Sequence, residues 1–289
     1  MDGWIILDKD SGVFSRTAGT RVARIFGRKK FGHIGTLDPM ASGVLPIAIG
    51  DATKMIPFVE ELNPQTKEYM FGVRFGVETE TLDITGHTIT TNNLIPTEAE
   101  IKNVLPSFIG EQMQTPPAYS AVHVDGVRAY QMARNGEKVE IPPRKIHIYE
   151  LECTGKNGDS FEFRVKCSRG TYVRSIVRDI AEKLGTVAVA TMICRTQSGN
   201  FDIKNAVKLD FLENLVNNSA DIDKYLMPMD SGLGDIPVLY LNDKDTELYV
   251  HGGFINVTHD DGLTRVYNGD KFIGVGTISN GILRPKRTI

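Results

Sequence analysis

Gly32-His33-Ile34-Gly35-Thr36-Leu37-Asp38-Pro39-Met40-Ala41-Ser42-Gly43-Val44-Leu45-Pro46 is the densest stretch of the chain. It sets one carboxylate, Asp38, directly before a proline that fixes the backbone, in a weakly polar loop punctuated by Gly32, Gly35 and Gly43. Glycines let a large ligand approach the main chain closely, because no Cβ stands in the way. Asp38 is not half of a local carboxylate dyad, since the next acid is Asp51. An aspartate beside a proline is commonly a turn residue. The long glycine-rich setting is what argues for chemistry instead.

Upstream of this loop the chain is basic. Residues 11–37 hold no acid and carry Arg16, Arg21, Arg24, Arg28, Lys29 and Lys30. Phe14-Ser15-Arg16-Thr17 reads as a helix start, with the helix running to about Lys30. At ~100° per residue, Val22, Ile25 and Phe26 share one face and Arg21, Arg24 and Arg28 cluster opposite. One side packs, and the other offers guanidinium forks suited to phosphate oxygens. The net charge of −3, from 33 Lys+Arg against 36 Asp+Glu, looks unlike a nucleic-acid binder. The acids lie elsewhere, however: Glu78, Glu80, Asp83, Glu98 and Glu100 fall in a stretch without Lys or Arg between Phe75 and Ile101. Such segregation can build a basic face on an acidic protein, with ordinary solvated surface as the competing reading.

With 289 residues and 41% hydrophobic residues, the chain has material for one large domain or two unequal ones, and disordered, collagenous and coiled-coil classes are excluded. No apolar run approaches the ~18 residues of a membrane span. Cys153, Cys167 and Cys194 show no Cys-x-x-Cys spacing, so neither a disulfide framework nor a zinc site is indicated. No signal-peptide pattern opens the chain. The expectation is a soluble, cytoplasmic protein.

The pattern is mixed α and β. Thr97-Glu98-Ala99-Glu100 matches a capping box, followed by the apolar stripe Ile101, Val104, Leu105 and Phe108. Val173, Ile176, Val177, Ile180 and Leu184 repeat at helical spacing before Gly185. Tyr69, Phe71, Val73 and Phe75 alternate as in a strand, as do Phe161, Phe163, Val165 and Cys167. From about Pro237 the tail reads as short strands joined by turns at Asn268-Gly269-Asp270 and Ser279-Asn280-Gly281, a small all-β domain beyond a boundary near 230–236.

Gly35-Thr36-Leu37-Asp38-Pro39-Met40-Ala41-Ser42-Gly43-Val44-Leu45-Pro46 resembles the catalytic loop of the TruB family of tRNA pseudouridine synthases. Asp8-Lys9 with Gly12 and Ser15, Lys67-Glu68-Tyr69 with Gly76, Cys167-Ser168-Arg169-Gly170-Thr171-Tyr172-Val173-Arg174-Ser175, and Ile193-Cys194-Arg195-Thr196 with Gly199 resemble further family motifs, in order. Thr115-Pro116-Pro117-Ala118-Tyr119-Ser120-Ala121 matches a signature in the family's RNA-gripping insertion. Asp10, Phe14 and Ile193 depart from the family pattern, standing where proline, a small hydroxyl residue and leucine are usual.

The resemblance implies an α+β fold with a central, mostly antiparallel sheet flanked by helices. The catalytic domain would span 1–232, with the insertion at about 110–145, and a β-rich PUA-like RNA-binding domain 236–289. It implies conversion of uridine-55 in the T-arm of tRNA to pseudouridine, without cofactor or metal, by a monomer needing no membrane and no obligatory protein partner. The target base would be extruded from its stack. Asp38 would act at the sugar, as a nucleophile at C1′ or as a base at C2′. A buried carboxylate stays ionised only when paired, and Arg174 would be the partner. Tyr69 and Tyr172 would line the uracil site, with Tyr69 also a candidate for removing the C5 proton. Ile193 would exclude water. His33 would occupy the space the base vacates, and Lys9 would contact substrate. Arg21, Arg24 and Arg28 would hold the RNA backbone. A tRNA-binding folding aid is the alternative. A guide-RNA-dependent synthase would require partner surfaces and extensions of which the sequence gives no sign.

Overall fold

The structure, a computed structural model, describes residues 2–61 and 66–289. Its centre is a ten-stranded sheet. Val207–Lys208, Gly3–Lys9, Ser42–Ile49, Ala188–Ser198, Thr66–Phe75, Ser160–Ser168, Arg144–Asn157 and Gly110–Gln114 lie side by side in that order. Phe31–His33 and Phe201–Asp202 pair at its margins. The pairing is antiparallel except at two seams, one of which joins Ala188–Ser198 to Ser42–Ile49 through Cys194↔Ser42 and Arg195↔Gly43. That seam lies immediately after the Asp38 loop, so the loop is held over the middle of the sheet.

Period-2 alternation sends the side chains of each strand to two cores. Ile5 and Leu7 join Tyr69, Phe71, Val73, Phe163 and Ile180 under the helices Ser15–Ile25, Glu98–Val104 and Val173–Lys183. Trp4 and Ile6 point the other way, to Val44, Ala48, Phe201, Phe272 and Val275. The Trp4 indole donates to the Met229 carbonyl at 2.8 Å, and its ring sits 5.4 Å from that of Phe201. Phe272 and Val275 belong to a second, five-stranded sheet: Val238–Tyr240, Gly262–Asn268, Lys271–Ser279, Ile282–Thr288 and Ile255–Asn256. The second sheet is therefore seated on the first through shared apolar contacts. Asp230, buried in the connection, accepts from Arg265 at 2.9 Å and from the Tyr267 hydroxyl at 2.5 Å.

Three expectations are corrected. The basic helix ends at Ile25, because Gly27 at φ 64° turns the chain, and Ser15 is not its cap. The Ser15 hydroxyl instead donates to the Leu37 carbonyl at 2.9 Å and accepts from the Leu37 N–H at 3.0 Å, tying the helix to the Asp38 loop. The C-terminal region is not all-β: Asp243–Val250 is a helix capped by Asn242, whose side chain accepts from Asp245 N–H at 2.9 Å. The stretch 110–145 does not begin as an insertion, since Gly110–Gln114 is the edge strand of the main sheet. The capping box at Thr97 and Glu100 forms as the sequence requires.

Candidate active site

Asp38 sits at the turn that its own proline makes, where its carbonyl accepts from Ala41 N–H at 3.1 Å. The turn is held from beneath: Gly12 N–H donates to the Pro39 carbonyl at 2.7 Å and the Ser11 hydroxyl to that of Met40 at 2.7 Å. Lys9 donates to the carbonyls of Asp10, Val13 and Pro39 at 2.9, 2.7 and 3.3 Å. Lys9 is 1% exposed, and burial brings its pKa down to about 8. Its ammonium therefore holds the loop from its buried side and does not line the cleft, which corrects the expectation of a substrate contact.

Arg174, in the first turn of the Val173–Lys183 helix, meets Asp38 at 2.7 Å from Nη2 to Oδ2. The guanidinium is almost wholly buried while the carboxylate is 34% exposed, so one partner is fixed and the other reaches solvent. Arg174 also donates to the carbonyls of Thr81 at 2.7 Å and Tyr119 at 3.0 Å, and lies 3.9 Å from the buried Asp83. The Thr81–Asp83 turn is tight, with Leu82 at φ 61°. Asp83 Oδ1 accepts from the hydroxyls of Thr81 and Thr85 and from Thr85 N–H, at 2.9, 2.5 and 2.9 Å. Strained backbone of this kind persists where its surroundings over-determine it, and here it aims a carbonyl and a carboxylate at one guanidinium.

Around Asp38 opens a cleft of about 360 Å³, lined by Leu37, Tyr69, Tyr172, Arg174 and Ile193 among others. That volume falls within the roughly 300–1,000 Å³ of small-molecule sites. Tyr69 is buried and directly opposite Arg195 on the neighbouring strand. Burial pushes the Tyr69 phenol up, which disfavours the phenolate at neutral pH and argues for a ring that holds a base over a group that deprotonates one. Tyr172 is clamped by Gln114, whose amide accepts from Tyr172 N–H at 2.8 Å and donates to its carbonyl at 3.1 Å. Arg144 covers the Tyr172 ring at 4.5 Å, and its guanidinium donates to the Gly170 carbonyl. Ala121, the last residue of the Thr115–Ala121 motif, and Val122 after it form part of the wall.

His33, half-buried on the Phe31–His33 strand, lies outside the cleft lining, with Nδ1 lacking a hydrogen-bond partner among the described residues. Burial and the charges of Arg195 and Lys67 lower its pKa, favouring the neutral ring. Of the three arginines expected to hold the RNA backbone, Arg21 and Arg28 are engaged within the protein, and Arg28 lies beyond the end of the helix. Arg21 makes a two-pronged pair with Glu213 at 2.9 and 2.7 Å, and Arg28 meets Asp2 at 3.0 Å. Arg24 is exposed and forms no ion pair among the described residues. Among the described residues no group of three or more His, Cys, Asp or Glu side chains converges as a metal site would require, and no helix is long and apolar enough to cross a membrane.

Lys67 and Arg195 also line the cleft. The signal for both was present, since each lies two residues along its strand from Tyr69 or Ile193 and therefore shares that residue's face.

Three family profiles tile the chain. Residues 23–173 match the TruB family pseudouridylate synthase N-terminal domain, 174–234 the tRNA pseudouridylate synthase B C-terminal domain, and 237–289 the pseudouridine synthase II TruB C-terminal region. The chain is 38% identical to the tRNA pseudouridine synthase B of Caulobacter vibrioides, over 99% of its own length and 96% of that protein. It is also 38% identical to the enzyme of the same name from Ehrlichia chaffeensis, covering 99% of both. Among solved structures it is similar to an H/ACA RNP chain bound to a substrate RNA containing 2′-deoxyuridine (TM-score 0.72, 23% identity) and to a chain of a Cbf5-Nop10-Gar1 complex (TM-score 0.72, 24% identity). Each match covers 99% of this chain and 84% of the other. At that identity the likeness is one of fold.

Proposed function

The chain belongs to the TruB family of tRNA pseudouridine synthases, and from that premise we propose that Asp38, oriented by Arg174, carries the isomerisation of uridine-55 in the T-arm of tRNA. The reaction breaks C1′–N1, with the bonding pair passing into the uracil ring. The ring then turns, C5 bonds to C1′, the C5 proton is lost and N1 gains one. Asp38 acts at the sugar, as nucleophile at C1′ or as base at C2′. Tyr69 and Tyr172 hold the ring by their faces, leaving its edges free to turn. Ile193, 4% exposed, keeps water from the activated sugar. His33 fills the place in the RNA loop that the extruded base leaves. The protein works as a monomer in the cytoplasm, with tRNA as its partner and no cofactor or obligatory protein partner.

The observation that carries this reading is the 2.7 Å Asp38–Arg174 contact in an aromatic-walled cleft open at the carboxylate. A folding aid that only binds tRNA would have no use for that convergence. Carbodiimide-blocked primer extension on unmodified tRNA tests it: wild-type protein should introduce a stop reporting pseudouridine at position 55, and a stop elsewhere or none would defeat the reading.

Phosphate contacts should come from the side chains left unpaired. Arg16, Arg24 and Lys29 are exposed and form no ion pair among the described residues, whereas Arg21 is already matched by Glu213. Arg24→Gln is expected to weaken tRNA binding and lower the slope of log Kd against log salt by roughly one, the signature of a lost phosphate contact. Arg21→Gln should leave that slope nearly unchanged. Filter binding over a salt series checks both, and equal slopes for Arg24→Gln and wild type would remove Arg24 from the interface.

A further inference from the structure

Three cationic side chains besides Arg174 face the cleft, and the carboxylates around it are already engaged with Arg174. Arg195, 1% exposed, donates to the carbonyls of Val44 at 2.7 Å and Gly35 at 2.8 Å. Arg144 lies over Tyr172 at the rim and donates to the Gly170 carbonyl. Lys67, 8% exposed, has no hydrogen-bond acceptor among the described residues. A Cβ placed on Gly35 would stand 2.1 Å from Lys67 Nζ and 3.0 Å from Arg195 Nη1, so the two cationic ends lie side by side against a glycine that leaves them room. Gly35 is at φ 65°, which further restricts that position to glycine. Two desolvated cations in company, one without an acceptor, are costly unless the site is meant for negative charge.

We propose that Lys67, with Arg195 beside it, is a further catalytic residue, whose ammonium receives the negative charge of the uracil ring when its glycosidic bond breaks. The inference rests on reading the cleft as the uracil site. Depth selects the base over the phosphate: Lys67 shares a strand face with Tyr69 among buried apolar walls, and an extruded nucleotide's phosphates must stay at the rim, on the side of Arg144. On cleavage of C1′–N1 the electron pair spreads over N1, O2 and O4. Lys67 donates an N–H to a carbonyl oxygen and keeps its proton, so no further reactant is needed. The turn that brings C5 to the place of N1 also brings O4 to the place of O2. One fixed donor therefore serves both the departing and the rejoining ring. Preorganised donors aimed at developing charge are among the largest contributions an active site makes.

The charge on Lys67 responds to pH. Burial and then Arg195 lower its pKa to about 7, Cys167 across the ladder and Glu60 oppose them, and Arg169 adds to the lowering. His33 and Tyr69 are the other titratable groups beside it, the first sensing its charge and the second sharing its strand face. The ammonium is thus lost as pH rises through that range, and a rate that depends on it must fall on the alkaline side.

Single-turnover rates on unmodified tRNA, taken from pH 6 to 9 with Kd measured alongside, test the proposal in wild type, Lys67→Met, Lys67→Arg and Asp38→Asn. Lys67→Met should lose roughly 10²–10³-fold in rate with tRNA affinity essentially retained. Lys67→Arg should recover part of the rate and carry the alkaline fall to higher pH. A Lys67→Met rate equal to wild type, a loss wholly accounted for by Kd, or a wild-type rate that stays flat to pH 9 would each overturn the proposal. The wild-type profile stands even if Lys67→Met does not fold. An Asp38→Asn enzyme as fast as wild type would instead overturn the underlying reading of the cleft.

Discussion

Asp38→Asn should form no detectable pseudouridine at position 55 while still binding tRNA. The amide is nearly the same size and can still accept from Arg174, so the loop, pinned through Gly12, Ser11, Ser15 and Lys9 to main-chain groups and not through the carboxylate, keeps its place. What disappears is the anionic oxygen. Among the described residues Asp38 is the one carboxylate lining the cleft, so no second anionic oxygen replaces it as nucleophile, and as a base at C2′ an amide cannot hold the proton. General-base catalysis alone contributes about 10²–10⁴-fold, and loss of a nucleophile costs still more, so a rate reduced by roughly four orders of magnitude or more is expected. Binding should stay within about tenfold, because phosphate neutralisation dominates affinity for nucleic acid. Carbodiimide-blocked primer extension and filter binding on the same tRNA read the two quantities separately. Turnover by the variant at a tenth of the wild-type rate would remove Asp38 from the chemistry.

The sequence disclosed elements whose order is local. Tyr69, Phe71, Val73 and Phe75 alternate because their strand is buried on one face of the sheet, and the Val173–Lys183 helix shows its stripe because that stripe packs on the sheet. The Asp243–Val250 helix escaped because it buries only Tyr249, leaving Asn242 as cap and the acids of its first turn as its signals. Side-chain direction was the harder matter. A motif marks Lys9 as special but does not tell an ammonium that faces a ligand from one that faces the main-chain carbonyls of Asp10, Val13 and Pro39. Arg21 reads as a phosphate fork until the Leu209–Asn217 helix docks and brings Glu213 to it. Asp38 and Arg174 were paired in the sequence only by family resemblance. Their contact depends on the Arg174 helix and the Asp38 loop meeting across the sheet, which no local pattern encodes. Lys67 and Arg195 were legible in principle through strand periodicity. Both stand inside motifs that carry the resemblance, but the resemblance attaches roles only to Tyr69 and Ile193 beside them.

Replacing Arg174 should damage the fold and the reaction together, and two variants separate the effects. Arg174→Met strands the Thr81 and Tyr119 carbonyls, leaves the buried Asp83 without its cation and frees Asp38 to swing. Breaking a buried ion pair by removing one partner costs about 3–5 kcal/mol. At 2–4 °C per kcal/mol for a chain of this size class, a melting temperature lower by roughly 6–20 °C is expected. Arg174→Lys keeps a positive charge in the same place, so much of that stability should return. One ammonium on a flexible stem does not reproduce a planar fork that holds Asp38, Thr81 and Tyr119 at once. The carboxylate would then be neutralised but not aimed, and misplacement of a reacting group by an ångström can cost about 10²-fold. Arg174→Lys should therefore melt closer to wild type than Arg174→Met, yet form pseudouridine at least about 10²-fold more slowly than wild type. Thermal melts and single-turnover rates on the two variants decide the matter. A lysine enzyme with the wild-type rate would mean that Asp38 needs only a nearby charge, and that the guanidinium geometry serves the fold alone.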